Sequence, residues 1–232
     1  MWLVAQIPPA NTELLPLFPL STVLVPKMPL ALHVFEPRYR QLVADLLSED
    51  VPGAPIFGVV ALRHGLEVGR LADVHEIGTT ARVSDVLPRG DGGCDLAAVG
   101  ERRFTIHSVD NASRPYLLAS VSYLPEDDGE LRPGNLAATR RAWHKHLLIL
   151  AALPGVSVAT IGTPTDAGEL SYAVAQLGTL PLADRQLLLT AKDTAQRLER
   201  ARSILRRESE LIRQLHAIPA GATALRYGRQ SG

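Results

Sequence analysis

The stretch that decides the fold runs from Leu14 to Leu47 and reads LLPLFPLSTVLVPKMPLALHVFEPRYRQLVADLL. Its first part holds two apolar runs that are interrupted by prolines and contain several β-branched residues, which favours strands and turns. After Pro37 the apolar residues recur at the spacing of one helix face: Tyr39, Leu42, Val43, Leu46 and Leu47. Pro37 suits the first helical position, where its missing N–H leaves no hydrogen bond unmade. The stretch therefore predicts two strands followed by an amphipathic helix over 37–48.

Further strands are predicted as far as residue 125. PIFGVVALRH (55–64) has the apolar content of a buried strand. HEIGTTARVSDVLP (75–88) has the period of a half-buried strand, with one face made of Ile77, Thr79, Ala81 and Val83. RGDGG (89–93) predicts a hairpin turn into the next strand. Short antiparallel strands around one helix indicate a barrel, since a closed sheet leaves no exposed edge.

The second part of the chain has a helical pattern. The segment PEDDGELRPG (125–134) is acidic and is bounded by proline and glycine, which makes it the best position for a boundary between lobes. The capping-box-like residues from Asp193 to Gln196 mark the start of a long final helix that reaches about His216. Earlier helices are predicted over 135–153, 168–180 and 182–191. We therefore predict an α+β protein with a β lobe over 1–125, a bundle of helices over 131–217 and a flexible tail over 218–232.

Composition limits the setting and the chemistry. The single cysteine, Cys94, excludes a disulfide within the chain and any cluster of cysteine ligands, so a reducing cytoplasm is expected. No run approaches the roughly 18–20 apolar residues of a membrane span, and the N-terminus has no signal-peptide pattern. Residues 1–130 carry 10 Lys and Arg against 17 Asp and Glu, whereas residues 131–232 carry 14 against 7. This asymmetry is read either as attraction between two lobes or as a basic C-terminal face for an acidic partner.

Several motifs resemble, in order and spacing, the N-terminal substrate-binding domain of Lon proteases, which also occurs as a free-standing protein. They are PLFPL (16–20), VLVP (23–26), PLALHVFEPRYRQLV (29–43), HEIGTTARV (75–83), VGERRF (99–104) and LPLADRQLLL (180–189). The resemblance covers roughly residues 13–217. It implies a barrel of the PUA-like kind and a role in recognising substrates for a degradation machine.

The resemblance does not imply that this chain is catalytic. A P-loop requires GxxxxGK[ST], and GTPTD (162–166) lacks both its lysine and its spacing. The ATPase and Ser–Lys peptidase domains of a full Lon protease have no counterpart in these residues, so we expect neither an ATPase nor a peptidase. The expected partners are unfolded or partly folded polypeptides and a separate ATP-dependent protease, while the oligomeric state stays open.

The FEPRY segment supplies the candidate site: Phe35, Glu36, Arg38 and Tyr39. These residues would hold an exposed polypeptide segment, in a cleft between the lobes and near strand ends, where a sheet edge supplies backbone hydrogen bonds. The competing interpretation is structural: Glu36 bonds backbone donors at the helix start, and Arg38 pairs with an acidic side chain.

Other candidate residues carry weaker signals. Arg102 and Arg103 could contact phosphate, but strand alternation places them on opposite faces. His144 and His146 are two residues apart on a helix, so they cannot share one metal ion. His33 is expected at the edge of the core, and Cys94 has no adjacent base to activate it. No cofactor, metal or catalytic residue is therefore predicted.

Two alternatives to polypeptide binding stay open. The first is RNA binding, because PUA-like barrels recur in RNA-recognition proteins, although the acidic β half opposes phosphate contact. The second is a small-ligand protein or enzyme, which ranks last because no acid–base or nucleophile constellation is present.

Overall fold

The computed structural model describes residues 12–48, 55–63, 73–158 and 161–215. The chain divides into two compact units, residues 1–125 and residues 126–232. The predicted tail over 218–232 lies outside the described residues.

The first unit contains six strands and one helix, and the helix begins where the sequence pattern changes. The strands are β1 (Glu13–Leu20), β2 (Pro29–Val34), β3 (Ile56–Ala61), β4 (Ile77–Pro88), β5 (Cys94–Asp110) and β6 (Leu117–Tyr123), and α1 (Pro37–Leu46) follows β2. Pro37 occupies the start of α1 as predicted, and Glu36 is its N-cap. The hairpin predicted over 89–93 joins β4 to β5.

The strand pairings close on themselves. The sheet order is β2-β5-β4-β3-β1-β6, and β6 also pairs with β5, so five strands form a ring to which β2 is added beside β5. The ring matches the expected barrel, with one correction. β1 and β3 are parallel, with Leu17 opposite Gly58 and Leu20 opposite Ala61, so the predicted antiparallel barrel contains one parallel pair.

The face predicted for β4 is only partly right. Residues 78–81 are all buried, because this end of the strand lies between β3 and β5 inside the ring. Burial of two threonine hydroxyls requires hydrogen bonds. The Thr79 hydroxyl donates to the carbonyl of Leu24 at 2.7 Å, and the Thr80 hydroxyl accepts from the backbone N–H of Arg102 at 3.0 Å. The side chain of Thr80 thereby replaces a ladder bond beside the bulge between Thr79 and Ala81.

The inner face of α1 completes the core of the first unit. Leu42 is fully buried, and the ring of Tyr39 stacks on Phe18 with centroids 4.0 Å apart. α1 is also fixed from its side by Asp45, whose carboxylate accepts a hydrogen bond of 2.6 Å from the Tyr116 hydroxyl. The pKa of Tyr116 is raised to about 12, mainly by burial and next by this hydrogen bond. The same hydrogen bond is the main cause of the lowered pKa of Asp45.

The second unit is helical, as predicted. Its helices are α2 (Asn135–Ala151), α3 (Ala167–Gln176), α4 (Leu182–Leu189) and α5 (Thr194–Leu215). α2, α3 and α4 each contact α5, and the apolar stripe of α5 is buried at Leu198, Ala201, Leu205 and Ile212. The stripe therefore packs within this unit. The predicted cap is also present, since Asp193 accepts from the backbone N–H of Gln196 at 2.7 Å.

The acidic segment after Pro125 belongs to the helical unit. Its Glu126 accepts a hydrogen bond of 2.9 Å from the Tyr172 hydroxyl and one of 3.2 Å from Arg197. Arg197 is fully buried, and it lies over the Tyr172 ring and donates to the Ser171 hydroxyl at 2.8 Å. Because a buried guanidinium needs a counter-charge, Glu126 is part of the packing of this unit.

Candidate functional site

The four residues of the predicted site divide into two pairs. Phe35 is 63% exposed, and its ring lies 5.9 Å from that of His33. Tyr39, in contrast, is 5% exposed and stacks on Phe18 within the core. Phe35 is therefore exposed at the surface, whereas Tyr39 is a core residue.

Glu36 and Arg38 bind each other. Arg38 donates from Nε at 3.0 Å and from a terminal nitrogen at 2.7 Å to one oxygen of Glu36. The structural interpretation is half right, because Arg38 does pair with an acidic side chain. It is wrong for Glu36, whose side chain makes no capping bond to the backbone at the start of α1. Arg38 also lies 4.6 Å from the centroid of the Tyr39 ring.

Phe35, Glu36 and Tyr39 line one surface pocket of about 360 Å³, here called the apolar pocket. It lies alongside β2. Its remaining lining residues come from the ends of β1 and β3 and from β2 itself: Phe18, Pro19, Leu20, Ser21, Leu32, His33, Val34 and Leu62. Of all the described residues that line the apolar pocket, Glu36 is the one carboxylate, so the pocket suits an uncharged apolar side chain.

A second depression, of about 330 Å³, also lies alongside β2 and is here called the outer-face pocket. It shares Leu32 and His33 with the apolar pocket, and its other lining residues are Ala31, Asp85, Leu87, Asp95, Leu96 and Ala97. Leu87 is 58% exposed. The outer-face pocket thus combines aliphatic surface with two carboxylates.

Asp95 is the centre of the polar contacts on this outer face. It lies opposite His33 in the β2–β5 register and binds the ring Nδ1 at 3.0 Å. Arg89 donates to its other oxygen at 2.8 Å. These two hydrogen bonds, that of Arg89 foremost, lower the pKa of Asp95. The expectation that His33 lies at the core edge is wrong, because its side chain is 45% exposed.

The exposure of Leu87 was not predicted from the sequence, and a β-bulge explains why. Continuing the face of Ala81 and Val83 by strict alternation would turn Asp85 and Leu87 inward. A register shift between Val83 and Asp85 reverses the faces, so that Val86 packs towards the core and Leu87 is exposed. The isolated Asp85 at a predicted inward position was the available signal.

The remaining candidates have structural partners. Arg103 is 2% exposed and donates to the carbonyl of Pro125 at 3.0 Å, while Arg102 lies 3.7 Å from the ring centroid of Tyr123. The two arginines therefore point to opposite faces, as predicted. Burial raises the pKa of the Cys94 thiol, which opposes a nucleophilic role at neutral pH.

The histidine pair on α2 also has separate partners. His144 bonds the hydroxyl of Thr163 at 2.9 Å, whereas the buried His146 bonds that of Ser209 at 3.0 Å. Within the described residues, no group of three or more His, Cys, Asp or Glu is arranged to hold a metal ion. The helices of the described part are all too short or too polar to cross a bilayer.

The helical unit contains a further pocket of about 530 Å³, lined by Trp143, Ile161, Gly162, Thr163, Pro164, Glu169, Ala173, Gln176 and Leu177. Glu169 is the single ionisable residue in that lining. General acid–base catalysis needs a positioned pair of such groups or a nucleophile with its base. This pocket therefore gives the enzyme interpretation no catalytic constellation.

The basic side of α5 is largely engaged within the protein. Arg200 donates to the carbonyl of Leu187, Arg207 to Asp184 and Glu208, and Arg213 to Glu210. Together with the buried Arg197, four of the six arginines of α5 have protein acceptors. This weakens the case for α5 as a phosphate-binding face, which needs unsatisfied cations at the surface.

Comparison with known families shows to which family the chain belongs. The sequence profile of the ATP-dependent protease La (LON) substrate-binding domain matches residues 14–207 of the 232-residue chain. The chain belongs to this family. The matched range includes FEPRY, every strand residue that lines the apolar pocket and the outer-face pocket, and most of the helical unit.

Full-length Lon proteases are among the relatives. Lon protease 2 of Syntrophobacter fumaroxidans is 28% identical over 209 residues, which are 88% of this chain and 25% of that protein. The Lon protease of Anaeromyxobacter dehalogenans is 26% identical over 180 residues, which are 75% of this chain and 21% of that protein. The chain thus spans about a quarter of the length of these relatives.

Solved structures of Lon N-terminal domains have the same fold. The Lon N-terminal domain protein of Xanthomonas campestris is 28% identical, with a TM-score of 0.59 over 81% of this chain and 95% of that one. The N-terminal domain of Lon from the Mycobacterium avium complex superposes with a TM-score of 0.61 at 19% identity, over 84% of this chain and 98% of that one. The α+β class predicted from the sequence is confirmed.

Proposed function

We propose that the chain is a non-catalytic binding module that holds unfolded or exposed polypeptide segments on its β unit. The observation that carries the proposal is Phe35, a 63% exposed aromatic residue beside an open apolar pocket. Large exposed aromatics beside apolar pockets are characteristic binding features, because covering them removes apolar surface from water. Membership in a substrate-binding family agrees with this use of the surface.

The partners follow from the same reasoning. An unfolded protein exposes the aliphatic and aromatic side chains that a folded protein buries, so a shallow apolar pocket selects unfolded chains without a specific sequence. We propose that cargo bound in this way is passed to a separate ATP-dependent protease or held against aggregation. The cytoplasmic setting remains a prediction based on the single, buried Cys94.

The test is a titration of the full chain into a fluorescently labelled, permanently unfolded polypeptide, with anisotropy as the readout. The proposal predicts saturable binding that Phe35→Ala weakens by about tenfold or more, the loss typical of a binding hot spot. Leu14→Ala is the matched control, since Leu14 is 70% exposed on the same unit and does not line the apolar pocket. Equal binding by both variants would contradict the proposed site.

A further inference from the structure

No strand in the described part of the chain pairs with the outer edge of β2. β2 is the first strand in the sheet order, and among the described residues it pairs with β5 alone. An edge strand presents backbone donors and acceptors on which another extended chain can pair. β2 has six residues, enough to align a short segment.

The register identifies the backbone groups that face outward. The N–H of Gly100 donates to the carbonyl of Met28 at 2.9 Å, so the carbonyl of Met28 points towards β5. Antiparallel pairs alternate, and the register therefore makes Leu30 and Leu32 bond to β5, while Ala31 and His33 direct their N–H and C=O groups away from it. Pro29 is two residues before Ala31, so its backbone nitrogen also faces the open edge. Proline has no N–H to donate and is tolerated at such an edge.

The two pockets adjoin this edge and share Leu32 and His33, but Val34 lines the apolar pocket and not the outer-face pocket, and Ala31 the reverse. Leu32 and Val34 face the core and line the apolar pocket, while Ala31 and His33 face outward and line the outer-face pocket. Successive side chains of a strand paired with β2 would point alternately to these two faces. One set would enter the apolar pocket, and the other would lie over Leu87.

From this juxtaposition we infer that the chain binds its cargo by β-augmentation: an extended polypeptide segment adds to the outer edge of β2, with apolar side chains alternating with basic ones. The apolar set fills the pocket beside Phe35. The basic set lays its aliphatic stems on Leu87 and directs its charges to the exposed Asp85. This inference rests on the proposed function and specifies its mode and partner chemistry.

Backbone pairing explains how the module can bind many sequences. Main-chain hydrogen bonds are the same for every extended segment, so they provide affinity that does not depend on the sequence. The pockets add a preference for particular side chains at alternate positions. The mode also requires an unfolded partner, because a folded protein has few unpaired strands to offer.

The decisive experiment uses a ten-residue peptide that alternates Leu and Lys, and two versions of it that are N-methylated at alternate positions. In an added strand, alternate peptide N–H groups point to β2 and to solvent. One N-methylated version should therefore lose about tenfold or more in affinity, as expected for losing two or more hydrogen bonds, while the other binds like the parent peptide. Equal affinity of all three peptides would overturn the β-augmentation.

Amide hydrogen exchange of the protein, read by NMR, gives a second readout. The amides of Ala31 and His33 should exchange rapidly in the free chain and become protected when the parent peptide binds. Those of Leu30 and Leu32, already bonded to β5, should change little. Binding without new protection at Ala31 and His33 would overturn the mode, as would their protection in a free chain that forms dimers through β2.

The charge preference is tested by reversal. A peptide alternating Leu and Glu should bind more weakly than the Lys peptide, and Asp85→Lys should reverse that order. Within the described residues, the Asp85 carboxylate accepts one hydrogen bond, from the backbone N–H of Val86, so the variant should fold. Unchanged order in Asp85→Lys would contradict the assigned partner chemistry. If the wild-type chain bound neither peptide nor any unfolded polypeptide, the proposed function itself would fail.

Discussion

Truncating Phe35 and truncating Tyr39 should lower the stability of the β unit by different amounts, although the two residues are only four positions apart. A fully covered aromatic side chain buries about 150–250 Å², and each Å² contributes about 25 cal/mol. Tyr39 is 5% exposed, so Tyr39→Ala should destabilise the β unit by about 4 kcal/mol, within the usual range for core aromatics. Phe35 is 63% exposed, so Phe35→Ala should cost only about 1–2 kcal/mol.

The assay is amide hydrogen exchange in the buried strand β3, because it reports the opening free energy of the β unit independently of the helical unit. Tyr39→Phe is the control, since it keeps the ring that stacks on Phe18. The β3 amides of Tyr39→Phe should be nearly as well protected from exchange as those of the wild type. If Phe35→Ala lowered the protection of β3 as much as Tyr39→Ala, then Phe35 would be a packing residue, and the account of the presented aromatic would be wrong.

Three further predictions concern stability. Gly78→Ala should destabilise the barrel by about 1–3 kcal/mol, measured by thermal unfolding, because a Cβ there would lie 2.5 Å from the carbonyl oxygen of Val59; an unchanged melting temperature would contradict the packing. Asp193→Ala should cost about 1 kcal/mol in urea unfolding by removing the cap on α5, and Asp193→Asn should recover most of it. His146, whose pKa burial lowers to about 4, should bind its proton more weakly in the folded than in the unfolded chain. Its contribution is therefore fully present above about pH 6.5 and is lost towards pH 4, by about 3 kcal/mol, and His146→Gln should remove that part of the acid sensitivity of the helical unit.

Local signals were sufficient for much of the fold. The change of period at Pro37 gave the start of α1, and the apolar content of residues 56–61 gave β3. The capping-box-like residues from Asp193 to Gln196 predicted the start of α5. In each case one continuous segment contains both the pattern and its cause, so neighbouring residues alone were enough.

Features that depend on pairing between distant segments were not predictable in this way. The parallel pairing of β1 with β3 is set by the closure of the ring, and the reversal at Leu87 is set by a bulge against β5. Likewise, the sequence predicts a link at the acidic segment, because nothing in that segment shows that Glu126 neutralises the buried Arg197.

The candidate site shows the same division. FEPRY was chosen as a group from its residue types, but only the three-dimensional contacts separate the presented Phe35 from the buried Tyr39. The open edge of β2 could not be read from the sequence, because whether a strand is an edge depends on which other strands pair with it. A sheet edge was expected as the mode of binding, and the structure supplies a specific candidate for it.

The central claim is that the β unit binds unfolded polypeptide through apolar and backbone contacts. It is tested most directly by fluorescence anisotropy of a labelled, permanently unfolded polypeptide titrated with the full chain at low and high salt, with RNA as competitor. We predict saturable binding that changes little between the two salt concentrations, is not displaced by RNA and is weakened by Phe35→Ala. Binding that collapses with salt and is displaced by RNA would contradict the claim and make the chain a nucleic-acid-binding protein.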